Sequence, residues 1–132
     1  MLHCGHVAIN APLRVEELSA PVKLFHFAEL AADVAVTQCF EVQFIQAEAG
    51  TGAAQWNAGL QLALYIAGHY TLGSGKALEL GAGLGLVSIV LSLLGFETIA
   101  TDGDPNILSC AVANLEANTG PNHRWSVQEL QW

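Results

Sequence analysis

Basic residues are scarce in this sequence. Only four of its 132 residues are Lys or Arg, twelve are Asp or Glu, and the formal net charge is −8. The four basic residues, Arg14, Lys23, Lys76 and Arg124, are scattered along the chain and form no cluster. Because nucleic-acid binding needs grouped cations to neutralise phosphates, we expect no nucleic-acid partner.

Cysteines are also few, and their number is odd. Cys4, Cys39 and Cys110 lie far apart and form no C-x-x-C pair. A closed zinc site needs about four clustered ligands, and structural disulfides belong mainly to oxidising compartments. The first residues also lack the basic-then-apolar order of a signal peptide. The sequence therefore predicts no metal site, reduced thiols and a cytoplasmic location, with the nucleus as a second possible compartment.

Long hydrophobic runs are limited to one stretch. Residues 80–96 carry no charge, and seventeen residues is the lower limit for a bilayer span. The stretch opens with Gly81, Gly83 and Gly85, which leaves a helical part of about nine residues, and apolar helices this short are usually buried in a protein core. We expect no membrane association.

The N-terminal half has a strand-like pattern that gives way to a helical one. Residues 34–37 and 41–47 are rich in β-branched and aromatic side chains, and residues 22–27 also fit a strand, which together predict a hairpin or small meander. From residue 55 to 69 the period is helical. One face of that helix carries Trp56, Leu60, Ala63, Leu64 and Ala67.

From residue 76 onward, short apolar strands alternate with helices. Strands are predicted at 76–80, 96–101 and 124–130, separated by helices at 86–94 and from 105 to about 118. Gly95 suits a left-handed helix end, while Asp104 and Pro105 suit a helix start. This order indicates right-handed crossovers and a parallel sheet. We predict one α/β domain over residues 1–132, with an N-terminal β region (1–53) and a Rossmann-like βαβαβ half (54–132).

The turn after the first parallel strand is the most informative segment. Gly81, Gly83 and Gly85 alternate there, directly after Glu79. Glycine lets the backbone turn sharply and lets a ligand approach closely, and the following helix offers free amide groups and a positive dipole end. These features predict a nucleotide-type ligand at the turn.

Two kinds of nucleotide ligand fit this turn. A dinucleotide fingerprint G-x-G-x-x-G finds Leu86 or Ser88 at its last position instead of glycine. An adenosyl ligand without pyrophosphate suits the turn better, because the Glu79 carboxylate would repel phosphate but attract a sulfonium or ammonium group. Asp102 ends the next strand about twenty residues later, where an acid can accept hydrogen bonds from both ribose hydroxyls. The alternative role for Asp102 is a helix cap, for which Asp104 is better placed.

Four segments resemble the non-SET protein-lysine branch of the seven-stranded, S-adenosylmethionine-dependent methyltransferases. They are QWNAG at 55–59, LELGAGLGLVS at 78–88, TD at 101–102 before a helix with Asn114 and Asn118, and ELQW at 129–132. The resemblance covers about residues 35–132. It implies a class I methyltransferase fold that uses S-adenosylmethionine and transfers a methyl group to a protein lysine side chain.

The same resemblance implies roles for individual residues. Trp56 would pack beside the cofactor, Asp102 would hold the ribose and Trp132 would border the adenine. Gly81, Ala82 and Gly83 would line the cofactor through their backbones, and Glu79 and Gly85 complete the expected cofactor site. No catalytic residue is assigned.

The chain matches only the first three of the family's seven strands. We therefore expect an incomplete methyltransferase domain, so that these 132 residues are either an active enzyme or an inactive fragment. Two alternatives remain open: a non-catalytic interaction module with the same fold, and a Rossmann protein that binds NAD or FAD. The oligomeric state is not predicted.

Overall fold

The fold was analysed on a computed structural model, which describes residues 22–38, 57–70 and 73–132. Trp56 and the strand predicted at 41–47 lie outside these residues.

The first described element is the predicted hairpin. Strand β1 (Val22–Phe27) pairs antiparallel with strand β2 (Ala32–Thr37), and a 3-10 turn at Ala28–Leu30 joins them. Side chains alternate along both strands, so that Phe25 and Phe27 of β1 and Val34 and Val36 of β2 are buried. The hairpin thus contributes one apolar face to the core.

Helix α1 (Asn57–His69) confirms the predicted helical period. Leu60, Ala63, Leu64 and Ala67 are all buried, as expected for residues on one face. This face packs against helix α2 (Leu86–Leu93).

The remaining elements form the predicted parallel sheet. Strands β3 (Lys76–Leu80), β4 (Glu97–Asp102) and β5 (Trp125–Glu129) pair in the order β3-β4-β5. Helices α2 and α3 (Pro105–Asn118) connect them and contact each other. Since right-handed crossovers that advance in one direction place their helices on the same face, α2 and α3 cover one side of the sheet. The fold class is therefore α/β, as predicted.

The helix ends follow from local chemistry. The Asp104 carboxylate accepts a hydrogen bond from the Asn106 N–H at 2.9 Å, which caps α3 ahead of Pro105. Gly95 follows α2 with φ of +98°, the left-handed conformation expected after a helix end. A side chain there would also collide with the backbone, because a Cβ would lie 2.8 Å from the Gly73 oxygen.

On the other side of the sheet, no helix or strand of the described residues covers β3. Leu78 and Leu80 project there and are 60% and 61% exposed. Within the described ranges, no strand pairs with the outer edge of β3.

Two asparagine side chains dock the hairpin onto α3. Asn114 accepts a hydrogen bond from the Thr37 N–H at 2.9 Å and donates to the Thr37 carbonyl at 3.1 Å. Asn118 makes the same pair of bonds with the backbone of Ala35, both at 2.8 Å. Each amide thus pairs with β2 as a neighbouring strand would, and satisfies the backbone groups on the β2 edge that faces α3.

The cysteine prediction needs correction. Cys110 is disulfide-bonded, so the expectation that all three thiols are reduced is wrong. The argument failed because distance along the sequence does not determine distance in the fold. The partner cysteine lies outside the described residues.

The described residues contain neither a membrane-spanning helix nor a metal-binding cluster. None of the helices in these ranges is long and apolar enough to span a bilayer. The same ranges contain no group of three His, Cys, Asp or Glu side chains arranged to hold a metal ion.

Candidate cofactor site

The candidate site lies at the carboxyl ends of the three parallel strands. The glycine turn (residues 81–85) follows β3, Asp102 ends β4, and Trp132 lies just beyond β5. In open α/β sheets, ligands bind in the crevice outside these strand ends. The fold therefore brings together all the predicted site residues that are described.

The glycine turn depends on left-handed backbone conformations. Gly81, Gly83 and Gly85 have φ values of +68°, +54° and +89°, which residues with a Cβ adopt only at a cost. The Ala82 N–H donates to the Thr101 carbonyl at 2.8 Å, and the Gly85 N–H donates to the Ala82 carbonyl at 2.9 Å. The alternate glycines thus form a tight turn that is fixed to the end of β4.

Asp102 connects this turn to the second strand. Its Oδ2 accepts a hydrogen bond from the Gly83 N–H at 3.0 Å, and its Oδ1 accepts one from the Asp104 N–H at 3.2 Å. An ionised carboxylate offers about four lone-pair positions, so about two remain for a ligand. Asp102 is therefore held in place by the backbone and can still accept hydrogen bonds from two hydroxyl groups.

Glu79 points toward the first turn of α2. Gly85 occupies the cap position of this helix and supplies no side chain, and the Glu79 carboxyl replaces it by accepting hydrogen bonds from the Ser88 backbone and from the Ser88 hydroxyl at 2.5 Å. Burial raises the pKa of Glu79 from 4.5 to about 7; the bonds from Ser88 lower it, and the neighbouring Asp102 charge raises it slightly. An acidic side chain thus occupies the helix end where a dinucleotide would place its pyrophosphate.

Trp132 lies against the glycine turn. Its ring carbons Cη2 and Cζ2 lie 3.6 Å and 3.8 Å from the position that a Cβ on Gly81 would occupy. The residue is nevertheless 79% exposed. One flat apolar surface is therefore presented at the edge of the candidate site, where the sequence predicts the adenine.

Three residues support the site although the sequence assigned them no part in it, and Asn114, which we expected at the helix surface or as a cap, is buried. Ser88 donates to Glu79, and the Thr101 hydroxyl donates to the Glu79 carbonyl at 2.6 Å. Asn114 donates to the Leu84 carbonyl, inside the glycine turn, at 3.0 Å. Asn114 carried one usable signal, because a polar residue beside the apolar positions of a helix indicates a buried side chain with partners.

The architecture and the turn together define a class of protein. The parallel sheet and its glycine turn agree with the class I methyltransferase fold that the sequence predicts. A solved structure of the Pyrococcus abyssi tRNA (uracil-54, C5)-methyltransferase in complex with S-adenosyl-L-homocysteine has a similar fold. Its TM-score is 0.51 at 16% identity, over 85% of this chain and 24% of that one.

The sequence narrows the class to one family. Residues 41–132 match the lysine methyltransferase family, and the chain belongs to it. It is 36% identical to the mouse protein-lysine methyltransferase METTL21E over 117 residues, which are 85% of this chain and 43% of that protein. It is 31% identical to the mouse protein N-lysine methyltransferase METTL21A over 126 residues, covering 93% and 54%. The chain thus spans about half the length of these curated relatives.

Proposed function

We propose that this chain forms the S-adenosylmethionine-binding half of a protein-lysine N-methyltransferase. The observation that carries the proposal is the bond from the Gly83 N–H to the Asp102 carboxylate, because it joins the two motifs that the cofactor would contact. Family membership supports the proposal independently.

The residues present fit the adenosyl cofactor. Asp102 has lone pairs free for two ribose hydroxyls, and Trp132 offers a flat apolar surface for adenine. The glycines let the cofactor approach the protein backbone closely. The Glu79 carboxyl suits the cationic methionine end of the cofactor. Trp56 remains a predicted contact that no described residue tests.

When bound, S-adenosylmethionine supplies an electrophilic methyl group on its sulfonium sulfur. Transfer of that methyl group to a neutral lysine amine would form the N–C bond, break the S–C bond and leave S-adenosylhomocysteine, so the contribution of the protein would lie mainly in alignment of the two reactants. In this proposal Asp102 and the glycine turn fix the cofactor, and the acceptor is a protein lysine, as the names of the relatives imply. We assign no catalytic base.

Calorimetric titration of this chain with S-adenosylhomocysteine tests the proposal. Replacing Asp102 by Asn or Ala should weaken binding about tenfold or more, because a charged hydrogen-bond acceptor is lost. Glu116→Ala is the matched control, since Glu116 is an exposed acid on α3 and is not one of the predicted site residues. Equal affinity of the Asp102 variants and the control would remove Asp102 from the site.

The same titration separates the alternatives. If the unaltered chain binds S-adenosylhomocysteine but not NAD, the adenosyl proposal is supported. Binding of NAD instead would favour a Rossmann dinucleotide protein. Binding of neither ligand would favour a non-catalytic interaction module.

A further inference from the structure

One buried side chain contacts both the N-terminal hairpin and the glycine turn. Asn114 is only 2% exposed. Its amide makes two bonds with the backbone of Thr37 and donates a third to the Leu84 carbonyl at 3.0 Å. Both N–H groups and the oxygen of this amide are therefore satisfied, each by a backbone group that α3 itself does not contain.

The bond to Leu84 acts on the geometry of the turn. The Leu84 carbonyl and the Gly85 N–H belong to one planar peptide group, so fixing the carbonyl oxygen also orients the N–H. That N–H donates to the Ala82 carbonyl and closes the turn. Asn114 therefore holds one of the peptide planes that shape residues 81–85.

Helix α3 supports the same peptide group from a second position. A Cβ on Gly85 would lie 3.5 Å from the Ala111 Cβ and 3.6 Å from the Ala111 carbonyl oxygen. Ala111 is fully buried and precedes Asn114 by less than one helical turn. The turn thus rests on a small side chain and is fixed by a hydrogen bond from the same helix.

We propose that Asn114 is a positioning residue that couples hairpin docking to the shape of the cofactor turn. Loss of its amide removes the restraint on the peptide between Leu84 and Gly85, and the turn then spends less time in the binding conformation. The hairpin also bonds the Asn114 amide, through the Thr37 backbone, and therefore contributes to cofactor binding in this proposal. The inference rests on the function proposed above, because the affinity in question is that for the adenosyl cofactor.

Asn118 provides a matched comparison in the same helix. It lies one turn after Asn114 and makes the equivalent pair of bonds with β2, at Ala35. Its remaining bond goes to the Asn114 carbonyl of its own helix, and none of its bonds reaches the glycine turn. Asn114→Ala and Asn118→Ala therefore both weaken hairpin docking, but only the first removes the bond to Leu84.

The two variants are compared by calorimetric titration with S-adenosylhomocysteine at a temperature where both are folded. Asn114→Ala should bind about tenfold more weakly than the unaltered chain, and Asn118→Ala should lose clearly less affinity, because its bond to the hairpin is lost while the Asn114 bond to Leu84 remains. In amide NMR spectra without ligand, the Gly83 and Gly85 resonances should shift more in Asn114→Ala than in Asn118→Ala. Equal affinities for the two variants, or unmoved glycine resonances in Asn114→Ala, would overturn the proposal.

A measurement on the unaltered chain covers the case in which Asn114→Ala does not fold. If the coupling exists, binding must stabilise hairpin docking in return. Saturation with S-adenosylhomocysteine should then slow hydrogen exchange of the Ala35 and Thr37 amides at least threefold, although neither residue belongs to the candidate site. Unchanged exchange in a chain that does bind the ligand overturns this inference alone, whereas absence of binding overturns the proposed function itself.

Discussion

Replacement of Glu79 by Gln tests the electrostatics of the site through stability. The Glu79 side chain is partly buried, its carboxyl accepts hydrogen bonds from Ser88, and burial raises its pKa to about 7. A Gln side chain has nearly the same shape, and its oxygen can accept the same bonds. The substitution therefore removes the ionisation of residue 79 and leaves its packing in place.

The direction of the pH dependence follows from proton linkage. Between pH values of about 4.5 and 7 the folded chain holds the Glu79 proton more tightly than the unfolded chain does. The contribution of Glu79 to the free energy of unfolding is therefore fully present below about 4.5 and is lost as the pH rises through about 7. A pKa rise from 4.5 to about 7 sets an upper limit of about 3 kcal/mol on this loss.

The assay is urea unfolding of both proteins at pH values from about 5 to about 8.5. The free energy of unfolding of Glu79→Gln should exceed that of the unaltered chain by more at high pH than at low pH, by up to about 3 kcal/mol. All other titratable groups are shared, so their contributions cancel in the difference. In a chain that keeps Glu79, Ser88→Ala should move the fall in stability to higher pH, because it removes a hydrogen-bond donor that stabilises the ionised form of Glu79. A stability difference that does not vary with pH would refute the reasoning.

Three further variants test the glycine turn, helix α1 and the exposed leucines of β3. Gly85→Ala should lower the free energy of unfolding by about 1–2 kcal/mol, because residue 85 is left-handed; Gly68→Ala, inside α1 and with no atom within 4 Å of its added Cβ, should raise it by about 0.5–1 kcal/mol. Urea unfolding checks both variants. A change in the free energy of unfolding with the same sign for both would contradict the argument. Replacing Leu78 and Leu80 by Thr should reduce concentration-dependent association in sedimentation velocity, because it removes two exposed leucines beside an edge of β3 that no other described strand pairs with. Unchanged association would show that these leucines are not responsible.

Features determined by neighbouring residues were predictable from the sequence. The bounds of β3 match the prediction at both ends, since a short apolar run lies between a glycine and the glycine turn. Asp104 and Pro105 start α3 as expected, because cap chemistry acts over two or three residues. The positions of the turn and of Asp102 followed in the same way, once the strand–helix–strand order fixed which ends of the strands meet.

Features determined by distant residues were not predictable. Thr37 and Asn114 are 77 residues apart, and no local pattern indicates that a helix side chain will complete the edge of a strand. The sequence placed Glu79 at the turn, but the orientation of its carboxyl depends on Gly85, which leaves the α2 cap position without a side chain. The disulfide of Cys110 was missed for the same reason, because it depends on proximity that only the fold creates.

The orientation of Glu79 favours the proposed adenosyl ligand over a dinucleotide more strongly than the count of glycines does. A dinucleotide site needs the amides at the helix start to be free for a doubly charged pyrophosphate. Here the Ser88 backbone already donates to the Glu79 carboxyl, and a pyrophosphate would have to displace that group or lie beside it. Phosphate would also hold Glu79 in its neutral form, whereas a cationic methionine end would favour its ionised form. The raised pKa of Glu79 therefore offers a direct discrimination: an adenosyl-sulfonium ligand should lower this pKa on binding, and a dinucleotide should raise it.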